Sequence, residues 1–208
     1  MLFRDRVDAG EKLAEKLEAF KGRQDVILFA VPRGGVVVAK VIADRLKIPL
    51  DIVLAKKIGA PFNREFAIAA VDIDGDMVLN NEYVEYFSMR DEYIEHQKKR
   101  VLESLKDQLI EYRGSIKYKS LENKVAIIVD DGIATGATTK ACIRFLLKLN
   151  PKKIYIATPV IAPSTLKELE KECDGIFYIV SSEPFWAVGQ FYVDFSQVSE
   201  EDIKKLLS

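Results

Sequence analysis

Cysteine is almost missing from this chain, with two among 208 residues. Cys142 and Cys173 form no metal-ligand or redox spacing, which excludes a disulfide-built scaffold and leaves two reduced thiols. Histidine occurs once. His96 sits between Glu95 and Gln97-Lys98 on an expected helix, so a Ser-His-Asp triad or a His-rich metal site would rest on it alone. A solvated surface histidine is the simpler reading. Glycine and proline, 11 and 7, are too sparse for a collagen-like or low-complexity chain. Neither sign of charge is in excess: 31 basic residues face 32 acidic ones, with a net charge of −1 and a pI near 6.0. Such a balance argues against nucleic acid as a partner and against an anionic membrane surface. No apolar run approaches the ~20 residues that cross a bilayer. The opening Met1-Leu2-Phe3-Arg4-Asp5-Arg6 turns charged at once, unlike a signal peptide. The expectation is a cytoplasmic protein with no membrane partner.

What is present is an ordinary globular composition, 49% hydrophobic and 30% charged. A chain of this length hides roughly 70% of its unfolded surface, so it needs no staples. Asp8 and Glu11 carry capping-box spacing with Asp8 as the cap, and Ala9, Leu13, Leu17 and Phe20 mark one helical face up to Gly22. Residues 25–31 are continuously apolar after Asp25, as expected of a strand buried on both faces. An apolar helix over 36–46 and a second buried strand over 50–55 follow, and this order implies a parallel pair with a right-handed crossover. Residues 66–73 and 77–79 flank Asp74-Gly75, a two-residue hairpin signal. Asp72, Asp74 and Asp76 do not make a calcium loop, whose glycine belongs at the sixth position, whereas Gly75 stands at the fourth. A charged helix over 90–112 carries Ile94, Val101, Leu102, Leu105, Leu109 and Tyr112 in one stripe, suited to core packing, a cover or a dimer contact. Strand 124–129, helix 137–149, strand 153–159, helix 164–171 and strand 176–180 complete a βα rhythm. The expected fold class is α/β, in one domain over 1–208, with an elaborated middle over 55–120.

The informative segment runs from Val129 to Thr139. A buried strand delivers Asp130 and Asp131 to its carboxyl end, the edge where open α/β sheets place ligands. Gly132 and Ile133 lead into Ala134-Thr135-Gly136-Ala137-Thr138, which opens a helix. Helix N-termini present unpaired N–H groups and the positive end of the dipole, which suits a phosphate. Gly136 lets the backbone close on the anion, and the threonines add donors. Two carboxylates beside a phosphate make sense if they face a diol or a cation. A Walker A loop is excluded, because the residue where its second glycine belongs is Ala137. No dinucleotide-type Gly-x-Gly-x-x-Gly follows any strand.

This segment resembles the PRPP-binding motif of type I phosphoribosyltransferases, PRPP being 5-phosphoribosyl 1-pyrophosphate. The resemblance implies that Asp130 and Asp131 hold the ribose 2- and 3-hydroxyls. It also implies that Ala134, Thr135, Gly136, Ala137 and Thr138 cradle the 5-phosphate. Pro32-Arg33-Gly34-Gly35 resembles the family's pyrophosphate loop, which often contains a cis peptide, so Arg33, Gly34 and Gly35 are expected at pyrophosphate, with Lys56 or Lys57 as a further cation. With Lys56-Lys57-Ile58-Gly59-Ala60-Pro61 and the segment 185–195, nearly the whole chain, from Arg4 to about Leu207, is similar to a poorly characterised branch of predicted phosphoribosyltransferases.

The family fold implied is a Rossmann-like open parallel sheet flanked by helices. To it are added a flexible loop and hairpin, an inserted long helix and a small hood over 181–208. Arg64 in the flexible loop would touch pyrophosphate on closure. Mg²⁺ would bridge substrate oxygens, with few protein ligands. Trp186-Ala187-Val188-Gly189 followed by Asp194 resembles the hood of hypoxanthine–guanine enzymes. There an aromatic stacks on the base and an acid assists the metal, so Phe185 or Trp186 would meet the acceptor and Asp194 the metal. The gap from Gly189 to Asp194 is one residue longer than in those enzymes, and Ala134 stands where they carry an acid, as in adenine enzymes. Core aromatics remain the alternative for Phe185 and Trp186. The expected reaction is Mg-dependent transfer of the phosphoribosyl group to an unidentified nitrogen acceptor by a homodimer. The alternatives are a non-catalytic PRPP sensor and a hydrolase.

Overall fold

The computed structural model describes residues 2–61, 67–79 and 91–207. Helix α1 spans Arg6–Lys16 and starts earlier than expected. Asp5, not Asp8, is its cap, accepting the Asp8 N–H at 2.8 Å. The Asp8 carboxylate instead accepts from Lys12 Nζ at 2.7 Å, a bond that holds it below the usual carboxylate range. The helix also stops short of Gly22, passing into a 3₁₀ turn at Glu18–Phe20.

Strand β1 (Val26–Ala30), helix α2 (Gly34–Leu46) and strand β2 (Leu50–Ile52) form the expected parallel crossover. The run 50–55 is not one strand. Val53 N–H still donates to Ala30 O, but the Ile52 carbonyl accepts from Tyr118 Oη at 2.9 Å, and the chain leaves the sheet there. It re-pairs as β3 (Ala55–Gly59) in a separate antiparallel sheet with β4 (Ala67–Asp72) and β5 (Met77–Leu79). Leu54 and Ala55 are buried, as Ile52 and Val53 are, so hydrophobicity alone does not mark the break.

At the tip of the β4–β5 hairpin, Asp72 Oδ1 accepts the N–H groups of Asp74 and Asp76. The three aspartates of this turn converge on Lys148 Nζ at 2.7, 3.2 and 2.6 Å. Despite partial burial, those carboxylates push the Lys148 ammonium upward in pKa. The acidic hairpin holds a side-chain cation of its own chain.

Helix α3 spans Asp91–Arg113. Leu105, Leu109 and Tyr112 enter the main core, while Ile94 packs in a smaller cluster with Ile58 and Ile68 of the second sheet. The stripe expected along this helix is therefore largely spent on its own chain. Arg113 grips Asp51 of β2 with two nitrogens, at 2.5 and 2.9 Å.

Strand β6 (Val125–Val129) is buried at every position. After it come α4 (Ala137–Leu147), β7 (Lys153–Val160), α5 (Pro163–Leu169), β8 (Gly175–Val180) and α6 (Glu200–Leu207). The main sheet runs β2-β1-β6-β7-β8 with every neighbouring pair parallel. Numbered within that sheet alone, the order is 2-1-3-4-5. The chain thus reverses direction across the sheet between β1 and β6, and doubly wound sheets bind ligands in the crevice at such a switch point. The loops after β1 and β6 are the two lips of that crevice. No helix among the described residues is long and apolar enough to cross a membrane.

Candidate active site

The two lips are pressed together. A Cβ on Gly34 would fall 1.7 Å from Asp131 Oδ2, and one on Gly35 would fall 2.7 Å from the Val129 carbonyl. Side chains are excluded there because another loop occupies the space. The Pro32–Arg33 peptide is cis, as the resemblance led one to expect.

Across the crevice, the loop after β6 opens into α4. Gly136 is the cap residue, at φ 71°, with no side chain bonding the helix's first N–H groups. A Cβ on Gly136 would meet Thr165 Cγ2 at 2.7 Å. The Thr165 hydroxyl donates to the Ala134 carbonyl and fixes the turn from behind. A cavity of 160 Å³ lies in front, walled by Lys57, Asp130, Val188 and residues 132–139. Helix N–H groups, threonine hydroxyls and an ammonium around a small cavity make a receptacle for a tetrahedral anion.

Asp130 lines its edge, and Asp131 stands beside it with different partners. The Asp130 carboxylate accepts the Asp131 N–H at 2.8 Å. Burial first, and the Asp131 charge second, push the Asp130 carboxyl well above the usual aspartate range, while Lys57 acts against them. The Asp131 carboxylate accepts from Arg6 Nε at 2.6 Å, with both side chains largely covered. Its carbonyl accepts from Tyr192 Oη at 2.5 Å. Arg6 also donates to Ser196 O at 2.8 Å and lies 3.9 Å from the Phe195 ring centroid. Sequence reasoning missed Arg6 and Tyr192. Their contacts join both ends of the chain to Asp131, and no local pattern announces them.

The two lysines diverge, as neighbours on a strand must. Lys57 lines the anion cavity, whereas Lys56 donates to Ser104 Oγ of α3 at 2.7 Å. Burial depresses the Lys56 ammonium pKa. Arg33 is exposed, and Gln197, its amide oxygen turned inward, accepts from both guanidinium Nη atoms. Arg64 lies outside the described residues.

In the C-terminal segment, Phe185 is half-buried against Phe191, with ring centroids 5.1 Å apart. Trp186 is 83% exposed, which removes the core alternative for it. Gln190 Oε1 accepts the N–H groups of Trp186 and Ala187 and braces their turn. Val188 is the hood residue that reaches the loop: a Cβ on Gly132 would lie 2.2 Å from it. Asp194 is an exposed turn residue whose carboxylate accepts from Ser196, and those bonds hold its pKa low.

Among the described residues, no group of three His, Cys, Asp or Glu side chains could cage a metal. The donor set suits an ion held mainly by substrate oxygens, since Mg²⁺ keeps few protein ligands and prefers phosphate and water.

The family model of the phosphoribosyl transferase domain matches residues 4–196. This chain belongs to the phosphoribosyl transferase family. A Mycobacterium tuberculosis protein provisionally named a phosphoribosyl transferase is 34% identical over 206 residues, 99% of this chain and 46% of its own length. The chain thus spans about half the length of the curated relatives it matches. The crystal structure of TT1426 from Thermus thermophilus is 35% identical, with a TM-score of 0.80 and coverage of 100% of this chain and 98% of that one. A purine phosphoribosyltransferase from Pyrococcus horikoshii is 22% identical with a TM-score of 0.50, each chain covered to 93%, and shares the fold.

Proposed function

We propose that this phosphoribosyltransferase domain, one unit over 1–208, moves the 5-phosphoribosyl group of PRPP to a nitrogen acceptor. The observation that carries the reading is the anion receptacle at the start of α4, standing beside paired carboxylates and closed by the glycine lip after β1. Residues 134–138 would bind the 5-phosphate, with Lys57 completing the charge. Asp130 and Asp131 would accept hydrogen bonds from the ribose hydroxyls, and an ion-paired Asp131 would first exchange Arg6 for substrate.

The C1–O bond to pyrophosphate breaks with its electron pair on the leaving oxygen. The acceptor nitrogen forms the C1–N bond and loses a proton. Positive charge gathers on the ribose ring, so catalysis is mostly positioning and neutralisation of the leaving group. Mg²⁺ fits this donor set: Asp130 and Asp131 would help to hold it, and it would supply charge neutralisation on pyrophosphate. Gly34 and Gly35 would bring backbone close to pyrophosphate, and Arg33, released from Gln197, would meet it. Trp186 offers a bare indole face to a flat acceptor.

A second reading, PRPP sensing without turnover, draws on the Arg6–Asp131 contact, which gives the site a state coupled to both chain ends. Phosphorus NMR of PRPP with Mg²⁺, the protein and a panel of purines, pyrimidines and small amines separates the two. Pyrophosphate release with one acceptor, lowered ~100-fold or more in Asp131→Asn, is expected of a transferase. PRPP signals broadened without turnover would favour the sensor. Release without any acceptor would mean a hydrolase.

A further inference from the structure

A second cavity, of 360 Å³, lies over the carboxyl edge of β1 and β2, next to the crevice over β6. Arg33 and Lys56 line it with Gln108 and Tyr112 of α3 and Glu200 of α6, above the chain turn at Leu54. Tyr112 is 8% exposed, and its enclosed hydroxyl has no hydrogen-bond partner among the described residues. A buried hydroxyl left unpaired is costly, and native interiors rarely leave one without a reason. The ring is held among Leu105, Leu109 and the rest of the main core. The hydroxyl end feels the cavity's charges. Burial, then Glu200 and Glu111, push its pKa up, and Arg33 draws it down. Lys56, on the same cavity, is an ammonium that burial weakens. Two cations, a neutral hydroxyl donor and an amide outnumber the single carboxylate there, so the lining suits a phosphoryl oxygen better than an apolar group or a cation.

Resting on the reading above, we propose that Tyr112 and Gln108 bind the outer phosphoryl group of the leaving pyrophosphate, making α3 part of the leaving-group site. Arg33 lines this cavity from the lip after β1, and Lys56 on it is the chain neighbour of Lys57 on the anion cavity, so one ligand with phosphates at two ends would span them. Uncovered by a small shift of its surroundings on binding, the Tyr112 hydroxyl donates to a non-bridging oxygen, and Gln108 donates its amide beside it. Glu200 faces Lys56 and opposes a bare anion, so the ligand is pyrophosphate accompanied by its cation.

The test is titration calorimetry of the full chain with magnesium pyrophosphate, PRPP and ribose 5-phosphate. In Tyr112→Phe, binding of pyrophosphate and PRPP should weaken about tenfold, the scale of a hydrogen bond to a charged group. Ribose 5-phosphate should bind as before, and the ligand-free melting temperature should stay or rise, because no bond is removed. Gln108→Leu should move the same two ligands in the same direction, and serves if the first variant does not fold. Unchanged pyrophosphate binding in both variants overturns the inference and leaves the phosphoribosyl reading standing. Equal loss for all three ligands also overturns it, because that marks a structural effect. A wild-type protein that binds none of the three overturns both.

Discussion

The two lips of the crevice are each a strand end, a glycine turn and a helix start, yet they are built for opposite ends. After β1, Gly34 and Gly35 are filled against the opposite loop, and a single methyl group has no room. After β6, the glycine at φ 71° leaves a helix N-terminus open onto a cavity of 160 Å³. The first lip is a wall and the second a receptacle. The same residue type serves contact in one and backbone shape in the other, so a glycine-rich turn does not announce which role it plays.

Breaking the wall should have the largest effect. Gly35→Ala drives a methyl into the Val129 carbonyl, which belongs to the central strand and cannot swing away. A loss of about 1–3 kcal/mol is expected from such overpacking. Urea unfolding checks it, and an unchanged midpoint would mean the lips are not packed as described.

Breaking the receptacle should cost somewhat less stability but more ligand. Gly136→Ala demands a left-handed conformation from an alanine, roughly 1–2 kcal/mol, and crowds Thr165. Its melting temperature should fall, and the rise on adding ribose 5-phosphate should shrink further. Gly35→Ala, by contrast, should retain that ligand-induced rise more fully. Equal responses to ligand in both variants would erase the distinction between wall and receptacle.

The smallest effect has the opposite sign. Burial, then Asp131, raise the Asp130 carboxyl above its unfolded value. The folded protein therefore keeps a proton that the unfolded chain has released, and the stability present below the ordinary aspartate range is lost as pH rises toward the raised value. Asp130→Asn removes that loss. Its melting temperature should match or fall below wild type in acid and exceed it by a few degrees near neutrality, at roughly 2–4 °C per kcal/mol for a chain of this size. A gap between the two proteins that does not change with pH would count against the raised carboxyl.

Much of this architecture is readable from the chain. Strands β1, β6 and most of β7, with the loop from Asp130 to Thr138, follow from continuous apolar runs closed by proline or by Asp-Asp-Gly, because strands buried on both faces leave such runs. The split between β2 and β3 is not readable, since Leu54 and Ala55 are buried in either arrangement and only the Tyr118 hydroxyl marks the departure. Asp5 and Asp8 both suit a helix cap. Lys12 and Arg4 decide between them by engaging Asp8. Lys56 and Lys57 look alike in sequence, and strand alternation separates them only once β3 is known. Arg6 and Asp131 lie 125 positions apart and meet through tertiary folding alone.

That last pair ties the first residues of the chain to the candidate site. Phe3 N–H donates to Phe191 O, Val193 N–H to Phe3 O and Asp194 N–H to Arg4 O, so the N-terminal stretch is stitched to the hood in parallel-bridge fashion. Two residues further on, Arg6 reaches Asp131. A fusion, tag or protease cut placed just ahead of Arg6 therefore disturbs the candidate site in all but sequence position.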